Sequence, residues 1–137
     1  MAKLRHIAIK TKSPQKLAKF YEEVFDLKVL HTDATGAIFM TDGYFNLALL
    51  KNRGDGTPSG INHFGFEIES LPDIEQRLKA FDEPVTGRAV EREFAEKRTM
   101  DPDGNQIDLS EHGFLKRETA ADRAKKAKET TKEPAKV

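Results

Sequence analysis

The 137 residues predict an α+β fold made of two copies of one βαβββ module, and three observations point there. First, the chain repeats itself. Residues 7–9 follow His6 as residues 64–66 follow His63, and seven residues beyond each histidine stands a serine, Ser13 and Ser70. Second, apolar side chains then recur at spacings of four and three, at Leu17, Tyr21 and Val24 and again at Ile74, Leu78 and Phe81. That spacing marks one face of a helix. Third, several short apolar runs bounded by turn residues follow each helix. Agreement at so many positions with one constant offset identifies a duplicated module.

The elements can be justified in order. A strand carries His6, and Ser13 is suited to cap the helix that follows it. Residues 27–32, 37–41 and 45–51 read as strands, interrupted by Gly36 and by the hairpin pair Asp42-Gly43. Residues 52–60, rich in Gly, Pro and Asp, form a linker between module one (3–51) and module two (61–114). In the second module a strand carries His63, Ser70 caps a helix, and strands follow at 85–89, 94–100 and 106–110. Asp101-Pro102-Asp103-Gly104-Asn105 turns the chain between the last two. Helices on one face of largely antiparallel, curled mixed sheets complete the plan. Residues 1–114 thus form a single domain. Residues 115–137 are a charged tail with too little apolar surface to offset its ordering entropy, expected to be disordered apart from a frayed helix over 120–128.

Composition narrows the possible partners. The formal net charge is zero, so nothing calls for nucleic acid or an anionic membrane, although the tail's surplus of Lys and Arg over acids would suit attachment to a partner. No apolar run approaches the length needed to span a bilayer, and the start of the chain shows no signal-peptide pattern. A cytoplasmic address is expected. Without cysteine there is no disulfide framework and no thiolate ligand or nucleophile.

Side chains alternate across a strand, which sorts the remaining chemistry. Ile7 and Ile9 can pack on a helix, which turns His6 to the other face. Phe64, Phe66 and Ile68 do the same for His63, and Ile107 and Leu109 for Asp108. Curled sheets would then bring His6, His63 and Asp108 into one cleft. Two imidazoles and one carboxylate suit a borderline divalent metal such as Fe(II), Mn(II), Zn(II) or Ni(II). Three protein ligands leave coordination positions open, as in a catalytic site.

These residues resemble the vicinal oxygen chelate superfamily, which includes glyoxalase I, bleomycin resistance proteins and extradiol dioxygenases. The resemblance rests on Arg5-His6-Ile7-Ala8-Ile9, on Phe20-Tyr21, on Asn62-His63-Phe64-Gly65-Phe66, and on the run from Asp101 to Leu109. It implies a glyoxalase/bleomycin resistance/dioxygenase fold around a metal cleft. It also implies a divalent metal held at the positions of His6, His63 and Asp108 that chelates two neighbouring oxygens of a small substrate. The last ligand in the family is usually Glu, so Asp108 is one methylene short. Ala48 stands where glyoxalase I and the epimerases carry a fourth ligand, with Asn46 its nearest polar neighbour. Three ligands favour ring-cleavage dioxygenase-type chemistry. The alternatives are a lyase or isomerase related to glyoxalase I, and a bleomycin-resistance-like binding protein without catalysis. Two-module members usually pair, which implies a homodimer.

Four further residues are candidates for the site. Arg98, in the strand before the ligand turn, could bind a substrate carboxylate or phenolate, and Asn46 could also contact substrate. Glu67 shares a face with His63 and could act as a base, while His112 lies just beyond the last strand and could transfer a proton. Tyr44 is a further residue to test, and His31 reads as an ordinary strand residue.

Overall fold

Both serines start helices as expected. In the computed structural model, which describes residues 1–87, 95 and 97–116, the Ser13 side chain accepts a hydrogen bond from the Lys16 amide and that of Ser70 from the Asp73 amide. The elements run β1 (Lys3–Thr11), α1 (Pro14–Phe25), β2 (Lys28–Thr32), β3 (Ile38–Thr41), β4 (Asn46–Lys51), β5 (Gly60–Glu67), α2 (Leu71–Lys79), β6 (Thr86–Gly87), β7 (Lys97–Met100) and β8 (Gln106–Ser110). Each module is therefore βαβββ. The strands expected at 85–89 and 94–100 extend in part beyond the described residues, as does the tail with its helix at 120–128. Among the described residues no helix is long and apolar enough to cross a membrane.

The module sheets join into one eight-stranded sheet of order β2-β3-β4-β1-β5-β8-β7-β6. The order mirrors itself about the β1–β5 seam. In each half the first strand pairs in parallel with the last, β1 with β4 and β5 with β8. The remaining pairs, including β1 with β5, are antiparallel. The register equates Ala48 with Asp108, since Ala48 lies opposite Ala8 and Asp108 lies opposite Gly65, the repeat counterpart of Ala8.

Periodicity places the core correctly on α1, with one exception. Leu17, Ala18 and Tyr21 pack with Ile9, Ile38, Met40, Leu47 and Leu49 on the helix-bearing face of module one. Val24, expected on that face, is 56% exposed, and its counterpart Phe81 is 67% exposed because α2 ends at Lys79 before reaching it. On the opposite face Phe114 and Ala95, just before β7, form a buried cluster against which Phe39 of β3 packs. Five strand spacings separate β3 from β7, about 24 Å in a flat sheet. A two-residue cluster touched from both sides requires the sheet to curl around it.

Candidate metal centre

Register delivers the three expected ligands to the concave face. Gly65 of β5 lies opposite His6 of β1 on one side and Asp108 of β8 on the other, while His63 sits one pleat along the same strand. The glycine makes this approach possible. A Cβ at position 65 would lie 2.8 Å from Phe114 Cζ, 3.1 Å from the Asp108 carbonyl oxygen and 3.1 Å from His6 Cβ.

The donor atoms form a tight triangle within one chain. His6 Nε2 lies 3.2 Å from His63 Nε2 and 3.6 Å from Asp108 Oδ2, and His63 Nε2 lies 3.2 Å from the same oxygen. All three side chains are buried. The circle through these atoms has a radius of about 1.9 Å, close to the roughly 2.0–2.2 Å of metal–nitrogen and metal–oxygen bonds. A His-His-carboxylate set of this size fits a divalent ion. The shorter acid is no obstacle, since Asp108 reaches the triangle from β8 as it stands.

Each ligand is oriented by a partner on its far side. Asn46 Nδ2 donates to the Phe114 carbonyl at 2.8 Å, so its Oδ1 faces His6 Nδ1 at 2.9 Å and accepts that N–H. Asn62 Oδ1 accepts from His63 Nδ1 at 2.7 Å. An amide oxygen only accepts, so both imidazoles carry their proton on Nδ1 and turn an Nε2 lone pair to the triangle. Arg98 Nε donates to Asp108 Oδ1 at 2.8 Å and Nη1 to Gln106 Oε1 at 2.9 Å. Oδ2 is left as the carboxylate atom nearest the histidines. Phe114 also stacks on His6, with rings 3° from parallel and centroids 4.8 Å apart.

Two β-bulges aim the histidines. β1 and β5 pair regularly over the central residues, but Arg5 is an extra residue in β1 and Asn62 an extra residue in β5. Each stands immediately before a histidine, at equivalent places in the repeat. The bulge explains how Asn62 reaches the ring of its own neighbour, which a regular strand would point to the opposite face.

The other candidates fall in different places. Arg98, a candidate to bind substrate, is engaged by Asp108 and Gln106 and lines a cavity of about 290 Å³ together with His63, Asn62, Gln106 and Lys10. Asn46, expected to contact substrate, is fully buried behind His6 with its amide engaged at both ends. Glu67 is four residues from His63, about 13 Å along the strand, and Phe114 covers the intervening Gly65. His112 lies on that same far side. Its Nδ1 bonds the Ser110 hydroxyl at 2.9 Å, and Ser110 pairs with Glu67. Tyr44 is exposed beneath the Arg5 guanidinium, and His31 stacks on Phe39. Sequence reasoning missed Asn62, Gly65, Phe114 and Lys10. The Asn-His pair at 62–63 and the glycine at 65 were its available signals.

The model of the Glyoxalase/Bleomycin resistance protein/Dioxygenase superfamily matches residues 3–109. A probable trivalent organoarsenical cleaving enzyme of Bacillus subtilis (strain 168) is 25% identical over 111 residues, spanning 74% of this chain and 74% of that protein. Among the solved structures that share the fold are a dioxygenase and an epimerase. The 2,3-dioxygenase LapB from Pseudomonas sp. KL28 superposes with a TM-score of 0.65 at 19% identity over 79% of this chain and 40% of its own. Methylmalonyl-CoA epimerase from Mycobacterium tuberculosis superposes with a TM-score of 0.59 at 16% identity over 77% of this chain and 85% of its own.

Proposed function

The chain belongs to the glyoxalase/bleomycin resistance protein/dioxygenase superfamily, and from that premise we propose that it is a divalent-metal enzyme acting on a small substrate through two neighbouring oxygens, with ring-cleavage dioxygenase-type chemistry. One observation carries the choice of reaction. The repeat places Ala48, a buried methyl group, at the counterpart of Asp108, so among the described residues His6, His63 and Asp108 are the groups that converge on the ion's place. Two histidines and one carboxylate with open positions are the pattern of non-haem Fe(II) oxygenases, and Fe(II) heads the candidates before Mn(II), Zn(II) and Ni(II). An ion there would supply Lewis acidity and a place for two substrate oxygens.

The chain's own residues do the rest. Asn46 and Asn62 keep the histidine protons on Nδ1, Arg98 holds Asp108 and borders the substrate cavity, and Phe114 excludes water behind His6. Glu67 and His112 are given no part in this reading, since Glu67 lies four residues along β5 from His63 and His112 bonds Ser110, the strand partner of Glu67. A non-catalytic binding role accounts poorly for three converging ligands, each with its own orienting partner. The organoarsenical substrate is not carried over either, since trivalent arsenic seeks thiolates and the chain has no cysteine. A homodimer remains part of the proposal. The exposed Phe20, Val24 and Phe25 of α1 offer it an apolar face, and the three candidate ligands meet within one chain.

The test is metal content and identity. Protein purified from metal-supplemented medium is expected to hold one ion per chain, identified by anomalous scattering, and His63→Ala is expected to lose it. Wild type without metal, indistinguishable from His63→Ala, overturns the proposal.

A further inference from the structure

The described lining of the cavity beside the triangle carries more cations than anions. Lys10 shares a face of β1 with His6 and Ala8, and Ala8 lies opposite His63, so Lys10 stands on the order of 7 Å farther along the strand than His63. Lys10 lines this cavity and a neighbouring one of about 360 Å³. Among the described residues lining the two, Lys10, Lys51, Arg53 and Arg98 are cations and Asp55 is an anion; Arg98 is already paired with Asp108, which leaves Lys10, Lys51 and Arg53 against Asp55. The chain as a whole is balanced, with 23 basic and 23 acidic residues, so this excess is local.

Lys10 is the cation best placed to act on a bound molecule. Its side chain is 19% exposed, while that of Asp55, its partner on the linker, is 56% exposed. Their atoms are 3.6 Å apart, longer than a good hydrogen bond. A half-buried ammonium so loosely paired is stabilised by an anion that approaches more closely.

We propose that the substrate carries a carboxylate at the end remote from its vicinal oxygens, and that Lys10 binds this group in place of Asp55. The inference rests on the vicinal-oxygen reading above and adds to it a substrate class: small acids, such as carboxylated catechols, whose anion projects from the chelated oxygens toward Lys10. Lys10 is then a specificity-determining residue and Asp55 the internal group it exchanges.

The test uses Co(II)-loaded protein without oxygen, titrated with 3,4-dihydroxybenzoate and with neutral 4-methylcatechol while the Co(II) visible spectrum is followed. Wild type is expected to bind the acid about tenfold more tightly. Lys10→Met should bring the acid's affinity down to that of the neutral catechol. Asp55→Asn should raise it several-fold, a gain that damage to the fold does not produce. Lys19→Met, on the outer surface of α1, should leave the preference intact. Equal affinities in wild type, or a preference that survives Lys10→Met, overturn this inference while leaving the vicinal-oxygen reading standing. A spectrum moved by neither compound overturns that reading, and this one with it.

Discussion

Asn46 holds the His6 N–H with its oxygen and the Phe114 carbonyl with its nitrogen, both inside the protein. Asn46→Leu keeps the volume and removes both bonds. Metal affinity should fall about 10–100-fold, as for other orienting partners of metal-bound histidine, read by competition with a chelator. The Phe114 carbonyl left unsatisfied should cost about 1–3 kcal/mol of stability, read by denaturant unfolding. An Asn46→Leu variant that binds metal like wild type would remove Asn46 from the site. At this scale the sequence was legible where strand alternation holds, which is why His6, His63 and Asp108 could be named in advance. Asn62 was hidden because a bulge breaks that alternation just where it acts. Phe114 was hidden because it reaches the site from beyond the last strand, by a route no local period describes. Lys10 keeps the phase of His6, but a lysine near a strand end reads equally well as a solvated side chain.

Among the elements, the turn from β7 to β8 sets the register that brings Arg98 to Asp108. Asp101 organises it, accepting from Asn105 Nδ2 at 2.8 Å, from the Asn105 amide at 2.9 Å and from the Asp103 amide at 3.0 Å. The side chain of Asn105, then its amide, hold this carboxyl below its ordinary value. A depressed folded value stabilises the protein above the unfolded value of about 3.9 and ceases to do so as pH falls through the lower folded value. Asp101→Ala should therefore lower Tm at neutral pH, with the gap to wild type closing in acid below about pH 4. A gap of constant width from pH 7 to pH 2 would contradict this. Turn chemistry and capping serines were readable because both are local. The outward Val24 and Phe81 were misread because helix spacing alone does not say where a helix stops or how wide its contact with the sheet is.

For the molecule as a whole, duplication was the most legible feature, and the mirror order of the sheet follows from it. What the repeat could not reveal is where the halves depart from symmetry. The Ala48–Asp108 difference is the largest such departure at the site, and it is testable. Ala48→Glu should supply a fourth ligand and second carboxylate, tightening metal binding while suppressing the spectral response to catechols. A fully responsive Ala48→Glu protein would show that Ala48 does not face the open coordination position. The seam has one more consequence. His6 belongs to the first half and His63 and Asp108 to the second, so an ion bound there would act as a clasp, and its binding energy would oppose their separation. After chelation, the short link through residues 52–60 would keep each half at a millimolar effective concentration around the other.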